Sequence, residues 1–386
     1  MKWFDYLCLV TFFCACQSKA FKTEKEYKIV ASESFVDFGE HMVTPKTFNP
    51  TIANYKGKNA HIFIDQNLQI VISDLDRKEL IEIIPLQRGD GPRMLHSHPN
   101  KAIPLQKKHF LITTLSFFYI VDKEGDVIKK INLEKIVEDQ FFRNQEDHFF
   151  ITARSSYCKI KENELIFSLS RNLPMSGPVP AKAYPNFPLF IQLKINPDNW
   201  QIEWKLLDVS FPEEFVKSTS LSYWHDESPQ YLIEGKRLIY FFRFSSKLFF
   251  HDLETGKKSS LELNIEDAPY TSSPASSPEE GNKILKYAFL DTYIDTINKV
   301  IYRIHQNRNF QDPMCSERIL NSYSLEGKPL VSHSLGTIKE HLYSGMFGYK
   351  DQYYLTPFEP STSEEHLEFF QFKQVEKNQH LSFETN

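Results

Sequence analysis

Three arginines stand at comparable places in three apolar segments: Arg171 in SLSRN, Arg243 in YFFRFS and Arg303 in IYRIH. A guanidinium offers a fixed fork of donors that matches carboxylate or phosphate, so three converging on one mouth would grip an anion. Each would serve equally well inside the fold, pairing with a local acid or capping carbonyls between neighbouring units. If the first role holds, replacing Arg243 and Arg303 by alanine abolishes binding and spares the fold. Tyr302, beside Arg303, joins the same candidate set. A second cluster, Trp224, His225 and Asp226 in YWHDESPQY, combines a stacking surface with two polar groups, a mix suited to a sugar or a peptide. Its plainer reading is a strand-entry loop whose Trp packs on a rim.

Other chemistry-bearing residues lead less far. His96 and His98 in MLHSHP have the spacing of a metal-binding pair, but no third ligand stands nearby and no metal is expected. Asp147 and His148 would make half of an acid–base pair with no nucleophile in view. The fragment GDGP at 89–92 has neither a strand–loop–helix context nor a following Lys-Ser/Thr, so it reads as a turn and not as a phosphate loop. No catalytic residue and no cofactor are implied.

The elements that position these residues follow from composition and pattern. The 386 residues are 41% hydrophobic and 25% charged, enough apolar material for a substantial core. The 33 Phe and 18 Tyr favour pleated strands over helix faces. A net charge of −5 gives no support for a nucleic-acid partner, which needs a basic surface.

The N-terminus carries an address. Lys2 precedes the apolar run Tyr6–Ala15, too short to span a bilayer and suited to a signal-peptide core. Phe13-Cys14-Ala15-Cys16 resembles a bacterial lipobox, departing from it at Phe13 and Cys14. The resemblance implies a signal peptide over 1–15, cleavage before Cys16, lipid on Cys16 and a polar tether over 16–26; a plain secretory signal is the alternative. Cys158 and Cys315 then remain, too far apart for a zinc motif and readable as a pair or as two small buried hydrophobes. Partners expected on this basis are the membrane, through the lipid, and an envelope protein, peptide or glycan, with the chain at the outer membrane on its periplasmic or surface side.

A two-hairpin unit recurs from 27 to 386. One hairpin reads as a strand, a short polar turn and a strongly apolar strand, as in ANYKGKNAHIFI (53–64) and LIEGKRLIYFF (232–242). A second follows each of these, as in IVISDLDRKELIEIIPL (70–86) and LFFHDLETGKKSSLEL (248–263), with its turn recurring about every 60 residues. The two classes alternate six times, which predicts a single all-β domain: a six-bladed β-propeller of four-stranded antiparallel blades. Seven blades, or two packed sandwiches, are the alternatives. YKIVASESFVDF (27–38) supplies one further strand to pair with the last blade and remove its exposed edge. Short helices are expected, if anywhere, at 134–147 and 211–217.

A lipobox-led chain with units such as YAFLDTYIDTINKVIYRIH and an early GDGP resembles a Bacteroidota family of six-bladed-propeller lipoproteins that carries no established activity. The resemblance implies fold and address, not reaction. Topology adds that every tight turn shares one face of the disc. The long connections 87–102, 134–154, 171–188, 208–229, 264–286, 305–318 and 357–365 share the other. The expected function is therefore a membrane-anchored binding or scaffold module working through its long-loop face. The alternative is a polysaccharide lyase or hydrolase acting at the channel.

Overall fold

The second polar stretch of five units folds as a turn capped by its own side chain. A residue at or just past the strand end accepts from the backbone N–H groups that follow it. Asp74 Oδ1 accepts from Asp76 and Arg77, Asp122 Oδ1 from Glu124 and Asp126, and Asp252 Oδ1 from Glu254 and Thr255. Asn196 Oδ1 accepts from Asp198, and Ser324 Oγ from Glu326. The same device at five equivalent places is the repeat expressed as hydrogen bonds. These bonds also hold the Asp252 carboxyl below its ordinary range, the N–H of Thr255 first.

The structure, a computed structural model, describes residues 27–44, 50–114, 117–132, 149–151, 158–161, 163–171, 188–213, 229–243, 245–263, 287–309, 311–338, 343–350, 352–357 and 366–376. β1 (Tyr27–Asp37) precedes the antiparallel strands β2 (Thr51–Tyr55), β3 (Lys58–Ile64), β4 (Gln69–Asp74) and β5 (Glu79–Pro85). β6 (Lys101–Pro104), β7 (Phe110–Thr113), β8 (Phe117–Val121) and β9 (Val127–Asn132) pair in chain order as a separate sheet. In the next, β10 (Phe149–Ile151) and β11 (Cys158–Lys161) both pair with β12 (Glu164–Arg171), which continues to β13 (Phe190–Ile195) and β14 (Ile202–Leu206). Two further sheets repeat the chain-order pattern. One is β15 (Gln230–Glu234), β16 (Arg237–Phe241), β17 (Lys247–Asp252) and β18 (Lys258–Glu262). The other is β19 (Tyr287–Asp295), β20 (Val300–Asn307), β21 (Glu317–Ser324) and β22 (Pro329–Thr337).

The last strands are β23 (Tyr343–Tyr349), β24 (Gln352–Pro357) and β25 (His366–Glu376), and their order is completed by β1. β1 runs antiparallel to β25 along its whole length, from Tyr27 opposite Glu376 to Asp37 opposite His366. One parallel bridge, Asp37 with Glu79, links this group to β5, so hydrogen bonding is continuous through eight strands.

Apolar clusters lie between the sheets, as side chains buried on both faces of a sheet require. Ile62 and Ile72 pack with Phe110 and Tyr119. Phe118 and Leu111 pack with Phe167 and Phe190, and these with Tyr231 and Tyr240. Ile239 and Phe241 meet Ile301 and Tyr323; Tyr302 and Leu320 meet Tyr353 and Phe372; and Phe347 and Phe369 return to Phe63 and Val71, with Val36 and Phe38 from β1 and beyond. Each group of strands thus packs on the next, and the last on the first. The arrangement is all-β and propeller-like, built of four-stranded sheets side by side, not the two layers of a sandwich. The third sheet departs from expectation in its first strand, which comes in two pieces against β12. The candidate helical stretch 134–147 lies outside the described residues, as does most of 211–217.

Where the last group meets the first, His61 of β3 is fully buried, with its ring 5.2 to 5.4 Å from those of Phe63, Phe347 and Phe369. Neither ring nitrogen has a hydrogen-bond partner among the described residues. Burial lowers its pKa to about 3, so the folded state holds this ring neutral where an unfolded chain would protonate it. The contribution is whole above the unfolded value near 6.5 and is lost as pH falls toward the folded one. By pH 5 the loss is about 2 kcal/mol. His61→Leu is expected to remove this component and to leave neutral-pH stability equal or higher, because it replaces two unpartnered polar atoms with carbon. Thermal unfolding of both proteins between pH 7 and 5 checks this, and an unchanged pH slope in the variant would contradict it.

Candidate functional site

Strand alternation sorts the connections onto two ends of the sheets. On one end are the links from Tyr55 to Lys58, Asp74 to Glu79, Val121 to Val127, Glu234 to Arg237, Asp252 to Lys258, Asp295 to Val300 and Tyr349 to Gln352, each a tight turn. On the other end the chain passes from Asn132 to Phe149, Arg171 to Phe190, Leu206 to Gln230, Glu262 to Tyr287 and Asn307 to Glu317. The long connections fall on this second end as expected, and it is the candidate binding face. It also carries the tight links from Ile64 to Gln69 and from Thr113 to Phe117, so tight turns are not confined to the first end.

One short crossing on that end, from Phe241 to Lys247, shows how the end is held. The backbone N–H of Ser245 donates to Phe242 O, and that of Lys247 to Ser245 Oγ. The next sheet then clasps it: Phe289 N donates to Arg243 O at 2.7 Å. The Arg303 guanidinium donates to Ser246 O at 2.9 Å, Ser245 O at 2.8 Å and Phe242 O at 3.4 Å. Its carbon lies 3.6 Å from the Phe289 ring centre and 5.0 Å from that of Phe241, and the side chain is fully buried. A charge this deep needs its donors engaged, and here carbonyls of the neighbouring sheet accept from both terminal nitrogens.

The three arginines are not in equivalent places. Arg171 is the last residue of β12, Arg243 lies past the end of β16, and Arg303 falls mid-strand because β20 continues to Asn307. The longer β19–β20 hairpin carries Arg303 inward, away from the strand end where the pattern puts the other two. Arg243 is half-buried. Tyr302 is buried against Tyr353, ring centres 3.5 Å apart, and the Tyr353 hydroxyl donates to Asp295 Oδ2. Burial, with Tyr302 and Asp295 beside it, drives the Tyr353 pKa far up, so its hydroxyl stays protonated. The Arg171 side chain, Trp224, His225, Asp226, Asp147, His148 and Cys16 lie outside the described residues.

Buried polar groups also line the sheet that carries Arg303. His305 Nδ1 meets Asn321 Nδ2, and Ser332 Oγ donates to Asn321 Oδ1 at 2.6 Å. Burial, then the Arg303 charge, lowers the His305 pKa to about 4, which keeps the ring neutral and the network uncharged. His96 stacks on Tyr119, whose hydroxyl accepts from the His96 N–H. Among the described residues no three His, Cys, Asp or Glu side chains are placed to hold a metal ion. Cys315 is exposed, its thiol donating to Asp312 Oδ2 at 3.0 Å.

A groove on the turn end went unnoticed in the sequence. It encloses about 520 Å³ between the β6–β7 turn and the β13–β14 turn, and its walls include Gln106, Asn163, Glu164, Asp198 and Glu203. The NPDNWQ turn that supplies one wall read only as punctuation. Its high density of amide and acid side chains was the signal available.

No protein-family model matches the chain, and no curated protein sequence matches it. Solved structures do. A Bacteroides fragilis protein described as exported superimposes with a TM-score of 0.51 at 8% identity, covering 90% of this chain and 96% of the other. A luciferin-regenerating enzyme aligns over 90% and 96% with a TM-score of 0.43 at 9% identity. A Bacteroides uniformis protein described as a 6-phosphogluconolactonase aligns over 79% and 76% with a TM-score of 0.35 at 10% identity. The first shares the fold and, at that identity, nothing more. The other two align too loosely to bear on either fold or function.

Proposed function

We propose that this chain is a lipid-anchored envelope protein of the Bacteroidota type: a six-bladed β-propeller that binds a protein, peptide or glycan through its long-connection face. The count takes the eight-stranded sheet as two blades, divided at its single parallel bridge, and β10 with β11 as one interrupted innermost strand. Pairing of β1 with β25 then makes the first strand of the mature chain the outer strand of the last blade, which covers the edge that β25 would otherwise expose.

The observation that carries the binding role is the contrast between the two ends. Antiparallel neighbours need only a few residues to connect, yet the chain uses residues 172–189 between the paired strands β12 and β13. On the same end it spends 263–286 passing from one sheet to the next, while the other end keeps tight turns. Connections beyond structural need, held on a frame that is itself fastened sheet to sheet, are where recognition residues gather. Cys16, behind its apolar signal segment, supplies the anchor, and the tether over 17–26 supplies reach.

Shortening 172–187 and 264–286 to minimal glycine-serine connections, together, tests the assignment. The expected outcome is an unchanged melting temperature with loss of binding to solubilised envelope fractions. Binding that survives in the shortened protein would contradict it.

A further inference from the structure

The groove on the turn end has its own chemistry. Its walls come from two neighbouring sheets, and two contacts fix them relative to each other. The Gln106 N–H donates to Asn163 Oδ1 at 3.5 Å, and the His109 ring packs on Trp200 with centres 4.7 Å apart. Trp200 holds its place in the turn at φ 58°, with its N–H donating to Asn196 O at 2.8 Å. The cleft is therefore shaped before anything enters it, which lowers the ordering cost of binding.

Seven of the ten lining residues carry planar polar side chains. Glu164, Asp198 and Glu203 present acceptors, while the amides of Gln106, Asn163 and Asn196 carry both donors and acceptors. Lys194, 4.0 Å from Glu203, adds one cation against three carboxylates, so the cleft disfavours anions. A purely cationic ligand would leave the amide N–H groups and Lys194 facing donors. Hydroxyl groups, which donate and accept at once, match both halves of the lining.

We propose that this groove is a binding site for a hydroxyl-rich ligand, an oligosaccharide, bound through bidentate contacts from its carboxylates and amides. It lies on the end opposite the long connections and does not rest on the reading of that face. A soluble sugar probe therefore tests it separately.

The test is calorimetric titration of the full chain, held in lauryldimethylamine oxide so that no detergent sugar competes. The probes are maltohexaose, cellohexaose, xylohexaose and chitohexaose. Saturable binding of at least one is expected, weakened about tenfold or more in Asp198→Ala and in Glu203→Ala, equivalent to about 1.4 kcal/mol. Asp198 stands on an exposed turn and Glu203 is an exposed residue of β14, so the variants should melt with the parent, which separates lost contacts from lost fold. No saturable heat with any of the four would overturn the proposal. So would sugar binding indifferent to both substitutions, or binding of hexalysine in place of the sugars.

Discussion

Gly125→Ala should destabilise the fold by about 3–5 kcal/mol, whereas Gly256→Ala in the equivalent turn two sheets on should cost about 1 kcal/mol. Both glycines lie in the left-handed region, at φ 88° and 70°, so both substitutions bear the same backbone penalty. The difference is what an added Cβ meets. At Gly256 it meets open space; at Gly125 it would stand 1.8 Å from the carbonyl oxygen of Pro85, at the end of β5 in the preceding sheet. Main chain cannot step aside as a flexible side chain does, so the turn must withdraw from the seam, pulling β8 and β9 with it. Gly327 repeats the arrangement, at φ 81° and 2.3 Å from Glu262 O at the end of β18. Matched melting curves decide it: equal losses for Gly125→Ala and Gly256→Ala would mean the seam contributes nothing.

Arg303→Ala should cost a similar 3–5 kcal/mol, because it strips donors from buried carbonyls of another sheet and opens a cavity between Phe241 and Phe289. Arg303→Met keeps most of the packing and loses the donors, so it should fall between parent and alanine variant. Arg303→Lys should recover little, since one ammonium cannot reproduce a fork directed at three carbonyls. Chemical denaturation provides the measure, with the midpoint shifting at constant slope. An alanine variant of full stability that had lost ligand binding would make Arg303 a recognition residue and not an inter-sheet tie.

The reason the sequence misplaces Arg303 is instructive. Its neighbours in the chain read as the end of a strand, but its partners are Phe242, Ser245 and Ser246, about 60 residues earlier in the crossing of another sheet. No local pattern reports that contact. The strands themselves were legible because each described second turn carries Asp, Asn or Ser at the point where a side-chain oxygen must cap the chain, as at Asp122 and Asp252. The pairing of β1 with β25 was legible too, since an apolar strand candidate preceding the first unit must find an edge. The split first strand of the third sheet was not: an insertion between Ile151 and Cys158 makes its two pieces look unrelated, though both lie along β12. The groove was hidden for the reason Arg303 was. Gln106, Asn163 and Asp198 come from three turns that only packing brings together.

The division of labour between the two ends is the central claim, and photocrosslinking from defined positions tests it most directly. Benzoylphenylalanine would be placed singly at 178, 224 and 274 in the long connections, and at Lys236, Ile297 and Lys350 on the tight turns. Each variant would be irradiated in intact cells. Adducts with envelope components are expected from the first set and not from the second. Adducts confined to the turn positions would contradict the account.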